Sequence, residues 1–453
     1  MSHSFENWTA VILAAGQGRR MRSSLPKVLH PLAGRPMVRY VVDAAREAGF
    51  GRCVVVVGPD GAVRESLGEG VEYAVQSEPL GTGHALAQAQ EPAADAEQLV
   101  VLNGDVPLIT PETLVRLART HQEQSADLTF LTARVEEAGQ YGCVQRDREG
   151  RVTAVVEAPE RGGATEGLAE INAGQYCFRA AWLWPRLTAI PRSSGGEYYL
   201  TSLVSIAVQE GAALLAVDAA DADEVCGIND RAQLAEAEAL LRQRINRGHM
   251  LTGVSLVDPA TTYLDADVTI GRDTVIEPNT YLRGATVVGE ACRIGPGSIL
   301  RDAKVDDRCS IVASTLEEAT LDEDVEVGPY SHLRPGAYLC AGLHVGNFAE
   351  VKNARLGRGV KMGHFSYIGD ADVGDETNIG AGTITCNFDG QEKHRTLIGR
   401  GVFIGSDTML VAPVTLGDGA RTGAGSVVTD DVPPGATAVG APARVISEGR
   451  EQA

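Results

Sequence analysis

Aliphatic residues recur every six positions through much of the second half of this chain. Ile270, Ile276, Leu282, Val288, Ile294 and Leu300 follow one another at intervals of six without a miss. The beat returns at Val327, Leu333, Leu339, Val345 and Val351, and again at Ile398, Ile404, Leu410 and Leu416. Between these runs Leu356, Met362, Ile368, Val373 and Ile379 keep the rhythm with an occasional interval of five, and a glycine often follows, as in Ile270-Gly271 and Ile404-Gly405. A period of six fits neither an α-helix nor a long pleated strand. It fits a β-solenoid of hexapeptide units, in which three short strands make a coil of about eighteen residues and each strand buries one aliphatic side chain. Small residues at the strand ends let the backbone turn sharply. The pattern predicts a parallel solenoid from about Val268 to Val428.

The first half carries a different pattern. Thr9 to Ala15 is an apolar run ending in Gly16-Gln17-Gly18, Arg39 to Gly49 has helical spacing, and Cys53 to Val57 is an uninterrupted strand. A further strand, Leu99 to Leu102, ends in Asn103-Gly104-Asp105. Alternating strands and helices with polar residues at strand ends predict an open α/β sheet whose ligands bind beyond the carboxyl ends of the strands. Between the halves, Arg231 to Asn246 is rich in Ala, Leu, Glu and Arg, with Leu234, Leu241 and Ile245 near one face. It predicts a helix, capped by Asp230, closing near Gly248 and acting as a rigid spacer. The expected domains are 1–229, a linker helix 230–250, and 251–453.

Length and composition narrow the function. The 453 residues suffice for two or three domains with full cores. The formal charge of −20 argues against a nucleic-acid partner and requires any anionic ligand to find local clusters of Lys and Arg. The eight cysteines are scattered singly without C-x-x-C, which points to reduced thiols rather than a zinc site or a disulfide framework. The polar start and the short apolar run VILAA predict no signal peptide and no membrane span, hence a cytoplasmic location.

Candidate chemistry follows from the irregularities. The glycine-rich turn lacks the third glycine of a dinucleotide fingerprint, because Met21 stands there. Gly16 and Gly18 leave backbone N–H groups open to phosphate oxygens, and Arg19, Arg20, Arg22 and Lys27 add charge, so a phosphate loop is the favoured alternative to a plain strand–turn–helix. In the solenoid, Arg334 and Lys352 each follow a beat residue at a separation of eighteen, which stacks them one coil apart. Two cations at about 4.8 Å repel unless an anion lies beside them or they lean apart into solvent. His364 sits in a turn, as a surface residue or as a base. After Ile379 the beat falls on Thr385, and nothing fits until Ile398, seven residues late. The segment Cys386 to Arg395 must leave the coil as a loop, and such an interruption is expected to serve function.

The motifs LAAGQGRRM and SSLPK, then QSEPLGTGHA (76–85), NGDVPL (103–108), YG (141–142), EINAG (170–174), GEYYLT (196–201) and GIND (227–230), followed by the hexapeptide repeats, resemble one family across nearly the whole chain. It is the bifunctional N-acetylglucosamine-1-phosphate uridyltransferase / glucosamine-1-phosphate N-acetyltransferase family. The resemblance implies a Rossmann-like nucleotidyltransferase domain, and it implies that the solenoid is a left-handed parallel β-helix that assembles as a homotrimer. It implies acetylation of glucosamine 1-phosphate by acetyl-CoA, then coupling of the product to UTP with release of pyrophosphate, for cell-envelope synthesis.

The resemblance also assigns residues. Asp105 and Asn229 would hold Mg²⁺, one or two ions per site. Leu13, Ala14, Ala15, Gly16, Arg19 and Lys27 would line the nucleotide phosphates, and Gln76, Gly81 and Thr82 would read the uracil. Gly142, Glu157, Asn172 and Tyr198 would contact the sugar. In the second domain His364 would be the base. Arg334, Lys352, Tyr367, Asn378 and Asn387 would hold the amino-sugar phosphate. Ala381, Asn387, Lys393, Ser406, Ala424 and Arg444 would line the acetyl-CoA groove. The chain departs from the family at Arg19, where Thr is common, and after Glu157, where Ala158-Pro159-Glu160 replaces a Lys-Asp-Ala segment. Two rival readings, a uridyltransferase on a purely structural solenoid and a non-turning nucleotide-sugar sensor, lack a use for His364, the loop, or Asp105 with Lys27.

Overall fold

In a computed structural model, which describes residues 5–161 and 167–447, the apolar runs of the first half join one mixed sheet, nine-stranded among those residues. Its strands are β1 (Phe5–Leu13), β2 (Phe50–Val57), β3 (Glu72–Val75), β4 (Gln98–Asn103), β5 (Leu128–Val135), β6 (Cys143–Arg146), β7 (Val152–Val156), β8 (Ala169–Arg179) and β9 (Leu214–Asp218). Their order is β9-β5-β8-β4-β1-β2-β3, with the β6–β7 hairpin joined to β8. Strands β1 to β4 run parallel, and β8 is antiparallel to both β4 and β5. The continuous apolar runs have a physical cause. Ala10 and Ile12 point into one core while Val11 points into the other, so both faces of the strand are buried. Helices Met37–Glu47 and Pro111–Glu123 cover the first face, and Ala180–Leu187 and Ser202–Glu210 cover the second.

The chain divides into two compact units, Met1–Leu241 and Arg242–Ala453. The helix predicted between the halves spans Arg231–Leu251, and Asp230 caps it by accepting from the N–H groups of Ala232 and Gln233 at 3.0 Å. It does not close at Gly248. A single glycine inside a helix costs only about 1 kcal/mol, and the chain leaves the helix instead at Gly253, whose φ is +99°. Within the second unit the buried Asn246 side chain donates to the carbonyls of Pro259 and Thr262, fixing the last turns of the helix to the first coil.

The second unit is a three-faced stack of short parallel strands, consistent with a left-handed parallel β-helix. Face 1 runs from Ser255–Leu256, face 2 from Thr262–Leu264 and face 3 from Thr269–Ile270, with 12, 10 and 9 strands among the described residues. The stack begins before Val268 and continues past Val428 to Thr437–Gly440, where Ala443–Ser447 folds back antiparallel and covers the last edge of face 1. Register partners are 18 residues apart at Ile276↔Ile294, 17 at Val345↔Met362 and 16 at Leu300↔Leu316. Shortened coils explain the intervals of five. They also explain the silence between Leu300 and Val327, where Val305, Ile311, Leu316 and Leu321 carry the core. Across the predicted loop the spacing opens to 25 residues at Val373↔Ile398, and Thr385 stacks beside Leu410 in the core position. Some buried hydroxyls are satisfied locally, as where Ser331 donates to the Gly346 carbonyl at 2.6 Å, whereas those of Thr280 and Thr396 find no partner.

Coil-to-coil contact at the turns is backbone against backbone. A Cβ at Gly346 would overlap the Gly363 carbonyl oxygen of the next coil, whereas one at Gly363 meets nothing within 4 Å. Gly346→Ala is therefore expected to destabilise the solenoid by about 1–3 kcal/mol, read as an earlier unfolding midpoint. Gly363→Ala should leave the midpoint within error of the native chain.

Candidate active sites

The parallel register of the first unit brings the ends of several strands to one place. Leu13 pairs with Asn103 on one side and Val56 on the other, and the Gln76 N–H donates to the Val57 carbonyl at 2.9 Å. The segments after β1, β3 and β4 therefore open into one cleft of about 560 Å³. Leu13, Ala15, Gly16, Arg19, Lys27, Gln76, Gly81 and Thr82 line it, and Ala14 lines its continuation toward Ser23 and Pro26. Gly18 has φ +58°, and a Cβ there would stand 2.5 Å from that of Lys27. Its missing side chain is what lets Lys27 lie across the loop. Met21, in the place of the third Rossmann glycine, is buried in the core.

A second cleft adjoins the first and shares Thr82, Asn103, Asp105 and Glu157 with it. Gly142, Asn172 and Asn229 line this half, together with Tyr141, Tyr176 and Thr201. At the junction Lys27 Nζ is hydrogen-bonded to Asp105 and donates to Asn229 Oδ1 at 3.0 Å. Arg20 donates to the same Asn229 oxygen at 2.9 Å. A carboxylate and an amide oxygen thus already converge on one cation. Among the described residues no cluster of three or more His, Cys, Asp or Glu offers a fuller metal cage. Few hard oxygen ligands suit Mg²⁺, which keeps waters and takes its remaining ligands from phosphates.

The second half is built by buried polar groups. Asn172 donates its side-chain N–H to Tyr176 at 2.7 Å and its backbone N–H to the Gly142 carbonyl at 2.8 Å. Tyr141 accepts from the Gly227 N–H at 2.7 Å, and burial pushes its hydroxyl up to about 12. Thr201 donates to Glu157 at 2.7 Å, and burial raises the Glu157 carboxyl above its ordinary value. Tyr198 lines neither half, since its backbone bonds to Leu80 and Gly83 while Tyr199 and Thr201 face the clefts. After Glu157 the segment forms a 3-10 turn, and Arg161 ties it down by donating to the Gly139 carbonyl at 2.6 Å. The Arg19 side chain donates to Gln17, two residues before it. Tyr141, Asn103 and Thr201 were not assigned from the sequence, although the YG, NGD and GEYYLT motifs contain them.

In the second unit the residues fall at two edges of face 2. At the edge toward face 3, Arg334 and Lys352 occupy neighbouring strands, as their eighteen-residue spacing predicts. An anion does lie beside Arg334, for Glu350 pairs with it at 2.8 Å. Lys352 is held below its ordinary pKa by the charge of Arg334 and then by that of Lys393. Tyr367 lies on face 2, with its hydroxyl over Gly369, where any side chain would collide with it. The loop leaves at this same edge. Asp389 organises it by accepting from the N–H groups of Gln391 and Glu392 at 2.8 Å and pairing with His394 at 2.7 Å.

At the edge toward face 1 lies His364, exposed in the bend between strands Lys361–Met362 and Ser366–Gly369. Lys361 pairs with Asn378, and backbone bonds link Asp407 to Ala381 and Gly425 to Ser406. His364, Ala381, Ser406 and Ala424 consequently form one column up this edge, with small side chains above the histidine. Asn378 is the exception among the assigned sugar contacts, because its strand belongs to face 1. Arg444 lies on the closing strand and pairs with Asp430 at 3.4 Å.

These geometries define a chain with a nucleotidyltransferase sheet and a hexapeptide transferase solenoid. Residues 10–206 match the MobA-like NTP transferase domain family, and residues 267–302 and 395–430 match the bacterial transferase hexapeptide (six repeats) family. The chain is 48% identical over 450 residues to the bifunctional protein GlmU of Pelobacter propionicus, covering 98% of each. It is 46% identical to that of Geobacillus thermodenitrificans over 97% of this chain and 96% of the relative. Against that of Brevibacillus brevis it is 45% identical, over 95% and 94%. The chain belongs to the bifunctional GlmU family and is an enzyme with two transferase activities. No helix among its described residues is long and apolar enough to cross a membrane.

Glu157 generates a pH prediction. Its folded pKa is raised, so its protonated form stabilises the fold at low pH and that contribution is lost as pH rises through the folded value. Glu157→Gln does not titrate. Its unfolding midpoint should match the native chain near pH 4 and exceed it at pH 8, in thermal scans at both.

Proposed function

We propose that the first unit couples UTP to N-acetylglucosamine 1-phosphate, giving UDP-N-acetylglucosamine and pyrophosphate. The solenoid of the second unit, taken as the domain 251–453, makes that sugar phosphate by acetylating glucosamine 1-phosphate with acetyl-CoA. The observation that carries the reading is the meeting of a nucleotide-sized cleft and a smaller polar cleft on Asp105 and Lys27.

In the first reaction a phosphate oxygen of the sugar attacks the α-phosphorus of UTP, and the bond from that phosphorus to the bridging oxygen of the leaving pyrophosphate breaks. No protein nucleophile is required; positioning and charge neutralisation suffice. The loop Leu13–Gly16 with Lys27 and Arg19 receives the phosphates, Gln76, Gly81 and Thr82 receive the base, and Gly142, Glu157 and Asn172 receive the sugar. Asp105 and Asn229 would hold Mg²⁺, which would supply further neutralisation of the phosphate charge.

In the second reaction the amine attacks the thioester carbonyl, the C–N bond forms, the C–S bond breaks and coenzyme A leaves as the thiol. The amino-sugar phosphate lies across face 2 over Tyr367, its phosphate at Arg334 and Lys352 and its amine at the edge of His364. His364 takes the ammonium proton. The small residues above it, Ala381, Ser406 and Ala424, leave a groove for the pantetheine arm, with Lys393, Asn387 and Arg444 as its polar contacts. Asn378 reaches such a site only from another copy, which favours a homotrimer with shared acetyl-transfer sites in the cytoplasm.

His364→Ala should abolish CoA thiol release from acetyl-CoA and glucosamine 1-phosphate while pyrophosphate release from UTP continues. Asp105→Ala should do the converse. Loss of both activities in either variant would sink the assignment. Mixed oligomers of His364→Ala and Asn378→Ala chains should recover part of the thiol release that each lacks alone. No recovery means the site is complete within one chain.

A further inference from the structure

Asp370 stands at the bend between faces 2 and 3, directly beneath the inserted loop, and is 8% exposed. One carboxylate oxygen accepts from the Asn353 side-chain amide and the other from that of Asn387, itself 8% exposed. Its backbone carbonyl accepts from the Thr396 N–H at 3.0 Å. The same residue therefore grips the chain at both ends of the segment 387–395. Its own N–H is spent on the Lys352 carbonyl at 3.1 Å, which ties the grip to the coil that carries the sugar-phosphate cations. Asp370 holds a left-handed backbone, φ +47°, that Asp and Asn tolerate better than most residues.

The chemistry of the pair has a consequence for the site. An ionised carboxylate accepts and never donates, so Asn387 must turn its NH₂ toward Asp370 and its carbonyl oxygen away. Burial alone raises the Asp370 carboxyl. The amides of Asn353 and Asn387, with Lys393 and Lys352, outweigh that and hold it below the ordinary carboxylate range. We propose that Asp370 is a positioning residue for acetyl transfer: it fixes Asn387 as an outward-facing acceptor and anchors the loop that brings Lys393 beside Lys352. An outward carbonyl oxygen cannot bind phosphate. Asn387 then recognises a donor on the amino sugar, a hydroxyl on the side of the loop, and the phosphate is left to the cations.

The inference rests on the acetyl-transfer reading of the second unit. The test is thiol release by the full chain with acetyl-CoA and glucosamine 1-phosphate, for the native chain, Asp370→Asn, Asn387→Ala and the double variant. Asparagine suits the backbone but presents either a donor or an acceptor, so Asn387 loses its fixed orientation. We expect kcat/KM for the amino sugar to fall roughly 10- to 100-fold in Asp370→Asn, the size typical of a lost charge-assisted hydrogen bond. The pyrophosphate-forming activity, which belongs to the first unit, should be unchanged. In the Asn387→Ala background the same substitution should cost almost nothing more. An undiminished kcat/KM in Asp370→Asn overturns the inference, as does an equal loss with and without Asn387. If Asp370→Asn fails to fold, Asp370→Glu, which moves the carboxylate by one methylene, is expected to give the same fall, and native kinetics there overturn the inference too. A native chain without thiol release overturns the acetyl-transfer reading itself.

Discussion

Parallel stacking in register governs the second unit. Each strand must lie over the strand one coil earlier, so each buried aliphatic must sit over its predecessor, and spare residues can leave only at a bend. That is why the extra length between Val373 and Ile398 emerges at the edge of faces 2 and 3 and leaves the core unbroken. The same rule turns separation in sequence into position in space. Arg334, Lys352 and Gly369 share one edge, as do His364, Ala381, Ser406 and Ala424, with Tyr367 on the face between. The edges are joined by a strand of about 3.3 Å per residue, so side chains reaching inward from both leave a span suited to a small phosphorylated sugar.

The first unit reaches a comparable result by other means. Parallel strands end together, and the loops beyond them are shaped by close approach rather than by stacking. Gly18 admits Lys27, Gly142 admits Glu157, and the positive φ of Gly174 lets Asn103 pass where a side chain would block it. Acceptors and donors of the second cleft are engaged with one another, as Asn172 with Tyr176 and Thr201 with Glu157. Such pairing holds the pocket open in a fixed shape and lowers the entropic cost of binding.

Much of this was legible in the residues, and the parts that were not share a reason. The unbroken hexads disclosed the solenoid and its inserted loop, because a regular period survives in one dimension. Coils of sixteen or seventeen residues broke the beat without breaking the stack, so residues 301–326 gave no signal. The helix was visible as the 230–250 linker, and it runs on through Gly248, which is tolerated, to Leu251 before the turn at Gly253. Tyr198 and Tyr199 are neighbours in one motif, and only the backbone bonds of Tyr198 decide which of them faces the clefts. Asp370 follows a beat glycine and looks like any turn-forming aspartate. Its partners, Asn353 and Asn387, lie 17 residues away on either side.

The net charge of −20 bears on how such a chain handles anions. In each site one cation that would meet phosphate already has an oxygen partner of its own. Lys27 holds Asp105 and Asn229, and Arg334 holds Glu350. Cations set this close repel one another, as Arg334 and Lys393 do Lys352. Partnered, they are oriented and only partly neutralised, so an arriving phosphate exchanges one oxygen ligand for another instead of ordering a mobile side chain. An acidic surface works with this arrangement. It repels polyanions in general, and a phosphorylated substrate is retained only where cations converge with the right geometry.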